Sequence, residues 1–159
     1  MPMPQNIPNT EGKLLRDLER ASASLSRNQK LRLKTRIDEC LHDLAGTEIV
    51  SWTHGDISQS NILRRAGSIG IIDFSWVAGI HGFSTSHLIY RIETERPRIP
   101  RWTSAVTSAL LNGYGVERSN PGPAWRLAYA QRALKAIHRK SPAAQAWGKH
   151  ALESFVSET

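Results

Sequence analysis

The sequence predicts an α+β chain, mostly helical, with its helices gathered around a small central β-hairpin. Three observations lead there. Apolar residues recur with a helical period before Gly46 and again after Gly82, while short β-type runs replace them between Ile49 and Phe74. A length of 159 residues, 40% of them hydrophobic and 22% charged, supplies one core of ordinary size. The expected organisation is a loose leader over residues 1–10 followed by a single domain over residues 11–159.

The leader, with three prolines and two asparagines, cannot hold a helix. From Glu11 to Arg20 the chain becomes helix-compatible, with Leu14, Leu15 and Leu18 on one side. A serine-rich joint, Ser22 to Asn28, follows. Leu33, Ile37, Cys40, Leu41 and Leu44 then form one stripe of a 3.6-residue period, closed by Gly46. Ile49-Val50-Ser51-Trp52 reads as a strand. Asn61-Ile62-Leu63-Arg64 and Ile69-Gly70-Ile71-Ile72 flank Arg65-Ala66-Gly67-Ser68, a hairpin with a glycine turn. Helices are expected over Ser84–Glu93, Arg101–Asn112, Ala124–Arg139 and Pro142–Val156, separated by proline and glycine clusters.

Composition excludes several classes. No run of apolar residues approaches the eighteen that a membrane-crossing helix needs. The amino terminus has neither the basic start nor the apolar run of a secretory signal, so the expected compartment is the cytoplasm. A lone cysteine, Cys40, leaves no internal disulfide and no thiolate metal cluster, and its place on the helical stripe makes it a core residue. The histidines are too dispersed for a zinc site. The net charge is +7, unevenly spread: residues 1–73 carry ten basic and nine acidic groups, residues 74–159 eleven and five. Scattered rather than blocked, that excess is expected to be a solvated surface and not a nucleic-acid interface.

The informative stretch is His54-Gly55-Asp56-Ile57-Ser58-Gln59-Ser60-Asn61, followed by Ile71-Ile72-Asp73-Phe74. An Asp five residues before an Asn, in a loop that enters a hairpin, with a second Asp in a D-F pair beyond it, is the spacing of a kinase catalytic region. Phosphoryl transfer needs a carboxylate beside the acceptor hydroxyl and oxygen ligands for Mg²⁺. A hairpin provides this because its two strands bring Asn61 and Asp73 to the same end.

The H-G-D-x-x-x-x-N loop with I-D-F resembles the aminoglycoside phosphotransferase and choline kinase group of small-molecule kinases, which share the protein-kinase-like fold. The resemblance spans about residues 30–140, is specific over residues 54–74 and is diffuse elsewhere. It implies a protein-kinase-like carboxyl-terminal lobe and an ATP- and Mg²⁺-dependent phosphotransferase. It also implies Asp56 as catalytic base, Asn61 and Asp73 as Mg²⁺ and nucleotide ligands, and His54 as the brace of the loop.

The sequence departs from that family in two places. Phe83 and His87 stand where acids are expected after the D-F pair, so His87 is expected to cap or pack. The residues before His54 contain no glycine-rich strand-turn-strand and no strand lysine; Lys13, Lys30 and Lys34 sit in helix-like or joint segments. The nucleotide-binding lobe is therefore expected to be missing, or supplied by a separate chain. The alternative is a non-catalytic remnant or binding module that keeps the fold. The basic half after Asp73 favours a neutral or anionic small-molecule hydroxyl as acceptor, although Glu93, Glu95 and Glu117 could cluster at the mouth of the pocket.

Overall fold

The structure, a computed structural model, describes residues 10–45, 50–54, 57–73, 77–80, 82–95, 100–113, 115 and 122–157. The leader up to Asn9, the stop at Gly46, Asp56 of the H-G-D motif, Phe74 and Glu117 lie outside those residues. In chain order the elements are α1 (Thr10–Ala21), α2 (Arg27–Asp43), β1 (Val50–Thr53), β2 (Ile62–Arg65), β3 (Ser68–Ile71), β4 (Val77–Ile80), α3 (Phe83–Glu95), α4 (Pro100–Gly113), α5 (Pro123–Ile137) and α6 (Pro142–Ser157). The chain is thus mostly helical with a minor antiparallel β component. Among the described residues no helix is long and apolar enough to cross a membrane.

Each predicted helix forms, and four of the six start at a site with a local cause. Ser26 caps α2 through a reciprocal pair: its hydroxyl accepts from the Gln29 amide at 3.2 Å, and Gln29 Oε1 accepts from the Ser26 amide at 2.9 Å. Proline opens α4, α5 and α6, at Pro100, Pro123 and Pro142. A first-turn N–H has no partner within a helix, so proline loses nothing there. On α2 the predicted stripe points inward: Leu33, Ile37, Cys40 and Leu44 are buried.

The core is built around α5, which packs against α1, α2, α3 and α6. Leu127, Ala128, Ala130, Ala133, Leu134 and Ala136 are all buried, so α5 is covered on nearly every side. Its alanines let neighbouring backbones approach. Closest is α6 at Gly148, where a Cβ would lie 2.8 Å from the Ala133 carbonyl oxygen. Arg132 is 4% exposed yet tolerated, because its guanidinium lies 4.9 Å from the Phe83 ring centre and 5.7 Å from that of Tyr90. Buried Asp17 on α1 accepts a hydrogen bond from the Gln131 side chain at 3.3 Å.

The β structure differs from expectation in two respects. Ahead of the helix expected from Ser84, where no strand was expected, the chain forms β4, which pairs antiparallel with β1 in the register Val50↔Ile80 to Thr53↔Val77. The hairpin forms as expected, with Ile62 opposite Ile71 and Arg65 opposite Ser68. Its two-residue turn has positive φ at Ala66 (41°) and Gly67 (86°), the sense that suits the twist of paired strands. It is not enclosed by helices, however. Leu63, Ile71 and Ile72 are exposed and Ile69 is 74% exposed, because apolar residues occupy both faces and, among the described residues, no helix packs extensively on either. The expected central hairpin is a projecting one.

Candidate active site

The motif residues converge on the backbone of one residue, Ile72. His54 leaves the end of β1 and is buried, only 6% exposed. Its Nε2 lies 3.0 Å from the Ile72 carbonyl oxygen. A carbonyl can only accept, so Nε2 carries the proton in this contact. The amide of the same residue, Ile72, donates to the Asn61 carbonyl at 2.9 Å. Ile72 is therefore held on one side by the first residue of the H-G-D motif and on the other by the motif's asparagine.

Asp73 follows directly, exposed and with φ at +57°. A left-handed conformation costs an ordinary L-residue about 1–2 kcal/mol; Asp and Asn bear it best because their short polar side chains can bond locally. The Asn61–Ile72 hydrogen bond and the strand register leave Asp73, one residue further on, at the same open end of the hairpin as Asn61.

Asn61 is oriented by residues that sequence reasoning passed over. It ends a single 3-10 turn over Gln59–Asn61, where its amide donates to the Ser58 carbonyl at 3.0 Å. The Ser60 hydroxyl donates to Asn61 Oδ1 at 3.3 Å and lies 2.7 Å from the Ser58 hydroxyl. The signal for this was present: hydroxyl residues at two of the four positions between Asp56 and Asn61. Asp56 itself lies outside the described residues. His54 and Asn61 are thus joined through the Ile72 backbone, with Asp73 next in the chain, and among the described residues no three of His, Cys, Asp and Glu form a cluster able to hold a metal.

Residues considered for the surroundings take structural places. His87 is buried and meets the Tyr90 ring edge-on, with centroids 6.1 Å apart, so it packs. Glu93 does not stand free at a pocket mouth: its carboxylate accepts from the Trp147 indole N–H and from the Thr107 hydroxyl at 3.3 Å, joining α3 to α6 and α4. Trp125 is buried beside Ile89 and Leu111, and Trp147 packs against Tyr90 and Tyr129. Burial pushes the Cys40 thiol above its usual range, as fits a core residue rather than a nucleophile. Compared with protein-family models, curated proteins and solved structures, the chain matches none.

Proposed function

We propose that this chain is the carboxyl-terminal lobe of an ATP- and Mg²⁺-dependent phosphotransferase of the aminoglycoside phosphotransferase and choline kinase type, acting on a small-molecule hydroxyl. The observation that carries the reading is the doubly held backbone of Ile72. It links His54 and the loop asparagine through the residue that precedes the D-F aspartate, a need of phosphoryl transfer that an unrelated loop and strand end would not share.

In this reading Asp56 accepts the proton of the acceptor hydroxyl, and His54 positions the loop by its bond to Ile72. Asn61 and Asp73 would hold magnesium. The donor set fits, being an amide oxygen turned by Ser60 and an exposed carboxylate, both hard oxygen ligands. The ion, when bound, supplies positive charge against the phosphates. The exposed Leu63, Ile71 and Ile72 beside the site support a lobe that works against a second, nucleotide-binding one. With Glu93 engaged by Trp147 and Thr107, a neutral or anionic acceptor is favoured over a polycation.

Thermal melting with and without millimolar Mg²⁺, on the wild type and on Asp73→Asn, tests the site. Magnesium should raise the wild-type midpoint slightly and leave the variant unmoved. Without metal the variant should be no less stable, since Asn accepts a positive φ as well as Asp does. A metal effect absent from both proteins, or equal in both, overturns the assignment. Calorimetric titration with MgATP should give weak binding to the chain alone; tight binding refutes the need for a second lobe.

A further inference from the structure

The first half of α2 concentrates charge that a count over half the chain averages away. Arg27, Lys30, Arg32, Lys34 and Arg36 fall within ten residues that contain no acid. Lys34 pairs with Asp38 at 2.6 Å and Arg36 with Glu39 at 2.8 Å, both on the same helix. The side chains of Arg27, Lys30 and Arg32 have no ion pair or hydrogen bond among the described residues. In their midst Leu31 is 64% exposed.

Leu31 is also the crest between two grooves. On one side, a groove of about 400 Å³ between α1 and α2 is lined by Leu18 and Leu31, with Arg27, Lys30 and Lys34 at its edge. On the other, a groove of about 360 Å³ runs between Leu31 and Val156 of α6, edged by Arg32 and Arg36. Beyond it, a third of about 450 Å³ continues along α6 over Leu25, Leu33 and Leu152, with Lys149 beside Arg32. Each groove also carries one carboxylate, Glu19, Glu39 or Glu153 in turn, so apolar floors alternate with rims on which cations outnumber acids.

We propose that this face of α2 docks an acidic amphipathic helix of a partner protein. Its apolar side chains would enter the grooves on either side of Leu31, and its carboxylates would meet Arg27, Lys30 and Arg32. Charge complementarity selects this occupant. A second copy would set the same cations against each other. A nucleic acid would use the cations but leave the leucine and valine floors unfilled, and no aromatic residue lines the grooves to stack a base. A membrane surface would find one exposed leucine to insert, with no Trp or Phe beside it.

The test is fluorescence anisotropy on the full chain with a labelled helix-forming peptide bearing Leu on one face and Glu on the other. A scrambled peptide of the same composition, phosphatidylserine-containing vesicles and poly(U) are run in parallel. Saturable binding to the patterned peptide is expected. It should weaken by about tenfold or more for Arg27→Glu/Arg32→Glu, for Leu31→Asn and for the scrambled sequence. Circular dichroism verifies that the variants, all altered at exposed positions, remain folded. No saturable binding, equal binding of the scrambled peptide, or binding that the substitutions leave intact overturns the proposal. So does tighter binding of vesicles or poly(U) through these same residues.

Discussion

Adding one methyl group at Gly148 sets two known effects of opposite sign against each other. Glycine inside a helix is worth about 1 kcal/mol less than alanine, so propensity alone makes Gly148→Ala stabilising. The packing opposes it. The new Cβ would stand 2.8 Å from the Ala133 carbonyl oxygen, 2.9 Å from Ile137 Cγ1 and 3.1 Å from the Ile137 amide nitrogen. Two of those three neighbours are backbone of α5, which no rotamer change can move. Relief requires α6 to back away, loosening Ala144, Ala151, Leu152 and Phe155, all now buried. Overpacking of this kind costs about 1–3 kcal/mol, and a rigid backbone neighbour puts it at the upper end.

The net expectation is a loss of about 1–2 kcal/mol, which for a chain of this size lowers the melting midpoint by about 2–8 °C. Gly113→Ala is the control: it ends α4 and a Cβ there meets nothing within 4 Å, so it should be neutral or slightly stabilising. Thermal melts and urea unfolding followed by circular dichroism read both. A Gly148→Ala protein as stable as the wild type would refute the close approach of α6 to α5.

Three further outcomes follow from local geometry. Ala66→Gly should stabilise by about 1 kcal/mol, because Ala66 holds φ at +41° in a turn that favours residues at ease in the left-handed region; a lowered melting midpoint counts against it. Cys40 should resist iodoacetamide in the native state and react once urea unfolds the chain, since it is 2% exposed and its thiolate is disfavoured by burial; rapid native labelling would contradict this. Lys135 has its pKa lowered chiefly by burial, with the Arg132, Lys13 and Arg20 charges adding to this and Asp17 opposing it. The unfolded chain therefore binds the proton more readily, so this group costs stability at neutral pH and the cost fades as pH rises from the lowered value toward the free value of 10.5. Urea unfolding of Lys135→Met should show higher stability than wild type near neutral pH and a shallower rise at alkaline pH; parallel profiles would refute the linkage.

What could be read from the sequence was what is decided within a few residues. The α2 stripe, the prolines that open α4, α5 and α6, and the Ala66-Gly67 turn each rest on contacts within one or two turns of chain, and each element formed. β4 escaped because Ala78 and Gly79 are weak strand formers and the partner that makes them a strand, β1, lies on the far side of the whole hairpin. The hairpin's exposure escaped for a related reason. Ile62, Leu63, Ile69 and Ile71 read as core by type, but a strand pair with apolar residues on both faces can be buried only if something covers both. The cation cluster on α2 escaped because charge was summed over residues 1–73, where Asp38, Glu39 and Asp43 cancel it arithmetically while standing in the second half of the same helix.

The candidate site divides in the same way. Spacing alone brought Asn61 and Asp73 to one end of the hairpin, because strand register converts sequence distance into spatial proximity. What aligns them is main chain. Ile72 holds the site with its amide and its carbonyl, which every residue except proline possesses, so no motif can record it. Its side chain, exposed, contributes nothing to that hold. His54 is the counterpart: a side chain whose partner is a backbone oxygen and therefore indifferent to which residue stands there. A signature built on side chains captures His54, Asn61 and Asp73 as three separate residues. The Ile72 backbone that links the first two and precedes the third becomes visible only in three dimensions, and so do the Ser58 and Ser60 hydroxyls that turn the Asn61 amide.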